Sequence, residues 1–188
     1  MNASHHWLWT DLETTGLDPA TGRILEFAVI LANDGADGDM SVVEEYTGVL
    51  SLPWEERKLL DVAPFVTRMH ANNGLWVACT ESATTLTEAE DFLLSLAESS
   101  EPRSIVLAGN SVHFDHRWLC YHMPRFAKFL SHRVLDVSSL IAAARAWIGP
   151  FESTSPIGEH RALGDIRASL DSARRLRELF GCGFGGAS

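Results

Sequence analysis

The stretch LWTDLETTGLD, Leu8 to Asp18, constrains this chain more than any other. An apolar run, Trp7, Leu8 and Trp9, ends in two carboxylates, Asp11 and Glu13, one residue apart. In a strand, side chains alternate between faces, so Asp11 and Glu13 share one face and Leu12 takes the other. Two like charges beside a buried segment repel each other and lose solvation. A divalent cation on oxygen ligands would offset them, because Mg²⁺ is commonly held by one or two carboxylates plus substrate phosphates. Thr14, Thr15 and Gly16 then read as a tight turn, followed by Leu17 and an Asp18-Pro19 step that keeps the chain out of helix. By itself an Asp-x-Glu triplet is a weak motif, arising by chance about once in several hundred residues. A calcium loop of the EF-hand type does not fit. Counted from Asp11, its sixth position is Gly16 as required, but its twelfth is Gly22, where a bidentate glutamate belongs.

The 188 residues suit one domain with a real core. Residues 7–13, 23–33 and 42–50 read as three antiparallel strands, with NDGADGD (33–39) as the hairpin connection between the last two. Short helices are expected over 54–60 and over 64–73, the second with Pro64 in its first turn and Gly74 at its end. In TLTEAEDFLLSLAES, Thr87 and Glu90 have the spacing of a capping box ahead of a stripe formed by Ala89, Phe92, Leu93, Leu96 and Ala97. A strand at 104–110, a helix in HFDHRWLCYHM, a strand at 134–137 and a helix capped by Ser138 and running to Trp147 follow. A Pro/Ser/Gly loop (149–158) leads to a terminal helix over 161–180, and residues 181–188 read as a disordered tail. The expectation is a single domain, 1–180, built on a mixed α/β sheet of five strands: three antiparallel, then parallel ones, flanked by helices.

Three further residues bear on the opening pair. Asp115 follows the strand ending in GNS by about one helical turn, and α/β sheets place ligands just past the carboxyl ends of their strands. A charge complementing the helix dipole would look the same. Asp165 lies early in the last helix, with His160 five residues before it, a spacing that puts the two apart around one unbroken helix. His160 is therefore expected on the preceding loop, leaning over a site that Asp165 faces; a surface histidine is the plainer alternative.

Four segments, WTDLETTGLD, MHANNGL, LAGNSVHFDHRWL and HRVLDVSSL followed by HRALGDIRASL, span Trp9 to Leu170. In order and context they resemble the DEDDh branch of the DnaQ-like 3′→5′ exonucleases, with an RNase H-like fold, and within that branch the oligoribonucleases. The resemblance implies that Asp11, Glu13, Asp115 and Asp165 hold two Mg²⁺ or Mn²⁺ ions about 4 Å apart, the spacing suited to in-line phosphoryl displacement. It implies that His160 is the general base, a role suited to an imidazole near neutral pH. The reaction it implies removes 5′-nucleotides from the 3′ ends of short oligoribonucleotides, dinucleotides to about five nucleotides, by two-metal chemistry.

Substrate contacts follow from the same resemblance. Leu17 matches a leucine that wedges against the terminal bases. Phe65, five residues before His70, itself an expected substrate contact, stands where the family has a tryptophan; it retains a stacking face, or reads as a core aromatic. Ser111, Ser138 and Arg133 match a cap on the 5′ phosphate that is partly supplied by the mate of a homodimer. His132 takes the usual place of a tyrosine there. The net charge of −10 agrees with short substrates, since proteins that grip long nucleic acids usually carry a basic footprint. A proofreading or trimming exonuclease of the same fold, acting on longer DNA or RNA 3′ ends, is the alternative, and an inert binding module a more distant one. Three cysteines in no C-x-x-C pairing, and no basic-then-apolar leader, fit a cytoplasmic protein.

Overall fold

The Trp7–Glu13 run forms the middle of the sheet. In the computed structural model, which describes residues 6–34, 40–98, 100–154 and 160–184, β1 (His6–Thr14) pairs antiparallel with β2 (Ile24–Asp34). β2 pairs antiparallel with β3 (Met40–Val49). On the other side of β1, β4 (Ile105–Gly109) and then β5 (Leu130–Asp136) lie parallel, giving the order β3-β2-β1-β4-β5. This is the expected mixed sheet. The tip of the 33–39 connection lies outside the described residues, but the pairing of Asp34 with Met40 is that of a hairpin.

Two helical layers cover the sheet, and the period-two alternation of β1 decides what each one meets. Leu8 and Leu12 enter a core with Ala89, Leu93 and Ala97 of α4 (Leu86–Ala97) and with Trp118 and Leu119 of α5 (His113–His122). Trp9 enters the opposite core, with Ile141 and Ala144 of α6 (Val137–Trp147) and Ile166 and Leu170 of α7 (Ala162–Phe184). Between the strands and α4 come α1 (Trp54–Arg57), α2 (Pro64–Asn72) and α3 (Leu75–Glu81). Leu75, Trp76 and Cys79 of α3 pack a smaller core against Leu25 and Leu52.

Helix ends depart from the sequence reading in instructive ways. The capping box is Thr85 with Glu88, not Thr87 with Glu90: the Glu88 carboxylate accepts from Thr85 N–H at 2.8 Å and Thr85 Oγ1 accepts from Glu88 N–H. Glu90 is committed elsewhere. It is buried on the Leu93–Ala97 stripe and accepts from the Arg125 N–H (2.7 Å), the Phe126 N–H (3.2 Å) and Arg125 Nε (2.7 Å). Ser138 does not cap α6 either; the Asp136 carboxylate does, taking the N–H groups of Ser138 and Ser139. The first short helix ends at Arg57, and β5 begins four residues earlier than expected.

α3 was not legible in LWVACTE, a seven-residue segment too short to show a period. Gly74 opens it with φ 74°, a left-handed conformation that glycine adopts at little cost. The terminal helix runs to Phe184, so residues 181–184 are helical rather than part of a tail, and 185–188 lie outside the described residues. So do residues 155–159 of the expected 149–158 loop.

Met123, Phe126 and Leu130 of the apolar segment MPRFAKFL are core residues. Replacing Glu90 with alanine would leave two buried N–H groups without acceptors, at a cost of about 2–3 kcal/mol. Urea unfolding should show that loss in Glu90→Ala, against about 1 kcal/mol for Thr85→Ala at the exposed cap. Equal losses would mean that the bonds from Arg125 and Phe126 to Glu90 add no more than an exposed cap does.

Candidate active site

Alternation along β1 that sends Leu8 and Leu12 toward α4 and α5 sends Asp11 and Glu13 toward α7. By then the strand has outrun its parallel neighbour, because the last β1–β4 pairing is Trp9 with Ala108. Gly109 turns away tightly against the overhang. A Cβ there would stand 2.6 Å from the Thr10 carbonyl oxygen, so a side chain would push the two strand ends apart.

Leu12 N–H, past the last β4 pairing, donates instead to Asp115 Oδ1 at 2.9 Å. Asp115 sits in the first turn of α5 and is only 4% exposed. Asp165 approaches from the opposite face in the first turn of α7. Asp11, Glu13 and Asp165 each offer an oxygen within 4.8 Å of the others.

This crowding shows in the ionisation of the group. Burial, and then the charges of Asp165 and Glu26, raise the Asp11 carboxyl to about 7. Burial raises Glu13 to about 9, with Asp11, Asp165 and Glu26 adding and Arg161 opposing. Asp115 is raised well above the usual carboxyl range by burial and by Asp11. Arg161, committed to Glu26, offsets this crowding only in part, and a cation among the carboxylates would relieve the rest. All the donors are hard oxygens, with no thiolate, which suits a hard divalent cation.

Glu26, which the sequence reading left aside, organises the adjoining wall. It lies directly across β2 from Glu13, 2% exposed. Arg161 binds it through Nε (2.9 and 3.1 Å) and Nη2 (2.6 Å), and the Ala162 N–H at the start of α7 adds a bond of 3.1 Å. One buried carboxylate thus anchors the helix that carries Asp165 and the residue after His160. The signal was present: a lone glutamate inside ILEFAVILA must have a partner.

His160 is exposed and stands ahead of α7, as expected, with φ 38°. It lines a cleft of about 230 Å³ with Phe65, Arg68, Met69 and Asn72. Phe65 is 70% exposed, which removes the core-aromatic alternative, and Leu17 is 78% exposed. Arg117 holds the Leu17 carbonyl.

His70 departs from the expectation of a substrate contact. It is fully buried, packs edge-on against Trp76, and bonds the Thr14 carbonyl through Nε2 at 3.0 Å, so it shapes the end of β1 instead. The Ser111 and Ser138 hydroxyls meet at 3.2 Å. Asp136 is their hub, accepting from the Ser111 N–H and the Ser138 hydroxyl and meeting His113 Nδ1 at 3.1 Å. His132 and Arg133 are exposed on the edge strand β5.

Comparison with known proteins agrees with this arrangement. A family model described as Exonuclease matches residues 8–172. The oligoribonuclease of Neisseria meningitidis is 34% identical over 182 residues, covering 96% of this chain and 95% of the relative. That of Marinobacter nauticus is 35% identical, covering 96% and 98%. The mitochondrial oligoribonuclease of Mus musculus is 36% identical, covering 90% and 71%.

Among solved structures, the Mg²⁺- and Mn²⁺-bound form of S. pombe Pop2p superimposes with a TM-score of 0.70 at 9% identity, covering 92% of this chain and 82% of that one. The zinc-bound E. coli ExoI–ssDNA complex gives 0.67 at 16% identity, covering 94% of this chain. This chain spans 43% of that structure and 40% of the Methylocaldum szegediense exonuclease I, so these likenesses speak for the fold alone. By sequence, the chain belongs to the exonuclease family and, within it, to the oligoribonucleases.

Proposed function

We propose that this chain is a 3′→5′ exoribonuclease that hydrolyses short oligoribonucleotides to 5′-mononucleotides. The observation that carries this reading is the meeting of Asp11, Glu13 and Asp165 at one strand end, with Asp115 tied to the same strand. Two divalent ions, Mg²⁺ or Mn²⁺, bound at these carboxylates would supply the charge that stabilises the attacking and leaving oxygens of an in-line displacement.

The chain's own residues do the rest. Leu12 N–H and the α5 turn fix Asp115, and the Glu26–Arg161 pair fixes the start of α7 and so Asp165. His160, which lines the cleft with Phe65, takes the proton of the attacking water. Leu17 and Phe65 offer exposed apolar surfaces against which the substrate bases stack. Ser111, Ser138 and Arg133, with His132 nearby on β5, receive the 5′ phosphate, and a second copy of the chain completes that cap in a homodimer. Cys79 and Cys120 are unpaired thiols, which suits a cytoplasmic setting, and no described helix is long and apolar enough to cross a membrane.

The direct test uses 5′-labelled RNAs from two to about twenty nucleotides, a range that varies phosphate count and stacking independently of the scissile bond. Matched DNA and the Asp11→Ala and His160→Ala variants run alongside in Mg²⁺ and Mn²⁺. The dinucleotide should be cleaved fastest, Asp11→Ala should abolish cleavage, and His160→Ala should leave only a small residual rate. Equal or faster shortening of long RNA or DNA would replace this reading with proofreading or trimming.

Phe65→Trp should lower KM for the dinucleotide by roughly threefold with kcat nearly unchanged, since the larger ring adds stacking area. No change in KM would remove Phe65 from the substrate site.

The raised carboxyls make a separate prediction. Groups with folded values of about 7 (Asp11) and about 9 (Glu13), against ordinary values of 3.8 and 4.5, contribute stability that is full below their ordinary values. That contribution is lost as pH climbs through the raised ones. In EDTA, wild-type Tm should therefore fall relative to Glu13→Gln between pH 5 and pH 9, and saturating Mg²⁺ should remove the difference. Parallel Tm profiles in EDTA would show that Glu13 is not held protonated.

A further inference from the structure

We propose that Asn73 is a positioning residue for His160. The inference rests on reading His160 as the general base. Asn73 follows α2 at the corner where the chain turns into α3, eighty-seven residues before His160. Its Oδ1 accepts the Leu75 N–H at 3.0 Å. That bond decides which end of the amide is which, because only the oxygen can receive an N–H. Nδ2 is thereby turned outward, and it donates to the His160 carbonyl at 2.6 Å.

His160 needs such support. At φ 38° it occupies a left-handed conformation that residues other than glycine adopt only when their surroundings impose it. On its C-terminal side the backbone is already gripped, through Arg161 and the Ala162 N–H, by Glu26. Asn73 supplies a second grip, on the carbonyl of His160 itself. The corner that bears it is fixed in turn to the strand carrying Asp11 and Glu13, because buried His70, three residues earlier, bonds the Thr14 carbonyl at 3.0 Å. The α2–α3 corner thus holds the base-bearing backbone and the metal-binding strand in one frame. A base must lie within hydrogen-bond reach of the water it activates, so a small shift of this backbone costs rate and leaves substrate affinity in place.

Asn73→Asp keeps an oxygen for the Leu75 N–H and removes the donor to His160. Asn73→Ser, whose shorter hydroxyl reaches Leu75 and stops short of His160, does so without adding charge. For both, kcat on a dinucleotide in Mn²⁺ should fall about tenfold with KM changing less than about threefold, the split expected of lost alignment, and Tm should stay near wild type. On the residual activity of His160→Ala, adding Asn73→Ser should have no further effect, the outcome expected when one residue works through another.

The same fold loss in both backgrounds would overturn the proposal, as would wild-type kcat in both single variants while His160→Ala is inactive. Full activity in His160→Ala would instead overturn the assignment of the base, a failure distinct from that of Asn73.

Discussion

Like-charge repulsion at one strand end governs the rest of this molecule. Pairs of carboxylates separated by less than 5 Å repel by roughly 3 kcal/mol at the effective dielectric of a protein surface region. The chain contributes three such groups, places Asp115 beside them, and sets Glu26 across the sheet as well. Local structure therefore has to supply compensation. Arg161 answers Glu26, the Leu12 N–H answers Asp115, and the remaining oxygens are left aimed at one place. What looks like an electrostatic fault in the isolated protein is an attraction reserved for cations and for the phosphates that travel with them.

Geometry, more than composition, makes this possible. β1 is longer than its pairing with β4, and the surplus residues carry the acidic pair. Helices pack on both faces of the sheet, so a residue from α5 and another from α7 reach the same overhang from opposite sides. Asp11, Glu13 and Asp165 need no loop to bring them together, and Asp115 is tied to the same strand. Each sits on a strand or in the first turn of a helix, where packing limits its motion, and rigid placement is what a preorganised cation site needs.

Much of this was legible in the sequence, for physical reasons. Alternation in WTDLET is a strong signal, and it correctly put Asp11 and Glu13 on one face. The apolar stripe of α4 and the loop position of His160 were equally plain. Helix caps were less so, since Thr85–Glu88 and Thr87–Glu90 have the same spacing and only the buried partners of Glu90 tell them apart. Asp136 and Ser138 are both good caps, and the strand that delivers them settles the choice. The role of His70 was illegible for a different reason. A histidine beside a motif looks like a ligand until its burial is known, and burial is a property of the whole fold. Asn73 and Glu26 act through contacts eighty-seven and 135 residues away, which no local pattern encodes.

The pairing of Glu13 with Glu26 bears on how the chain finds its fold. Because side chains alternate, a slip of β1 by one residue would turn Asp11 and Glu13 inward among Leu93, Trp118 and Leu119, and would swing Leu8 and Leu12 away from that core. Such a chain would bury ionisable groups in oil and take two leucines out of the core that fits them, so the misaligned hairpin penalises itself. The acidic residues proposed for chemistry also serve as proofreaders of strand alignment, and the register that places them is enforced by their own charge.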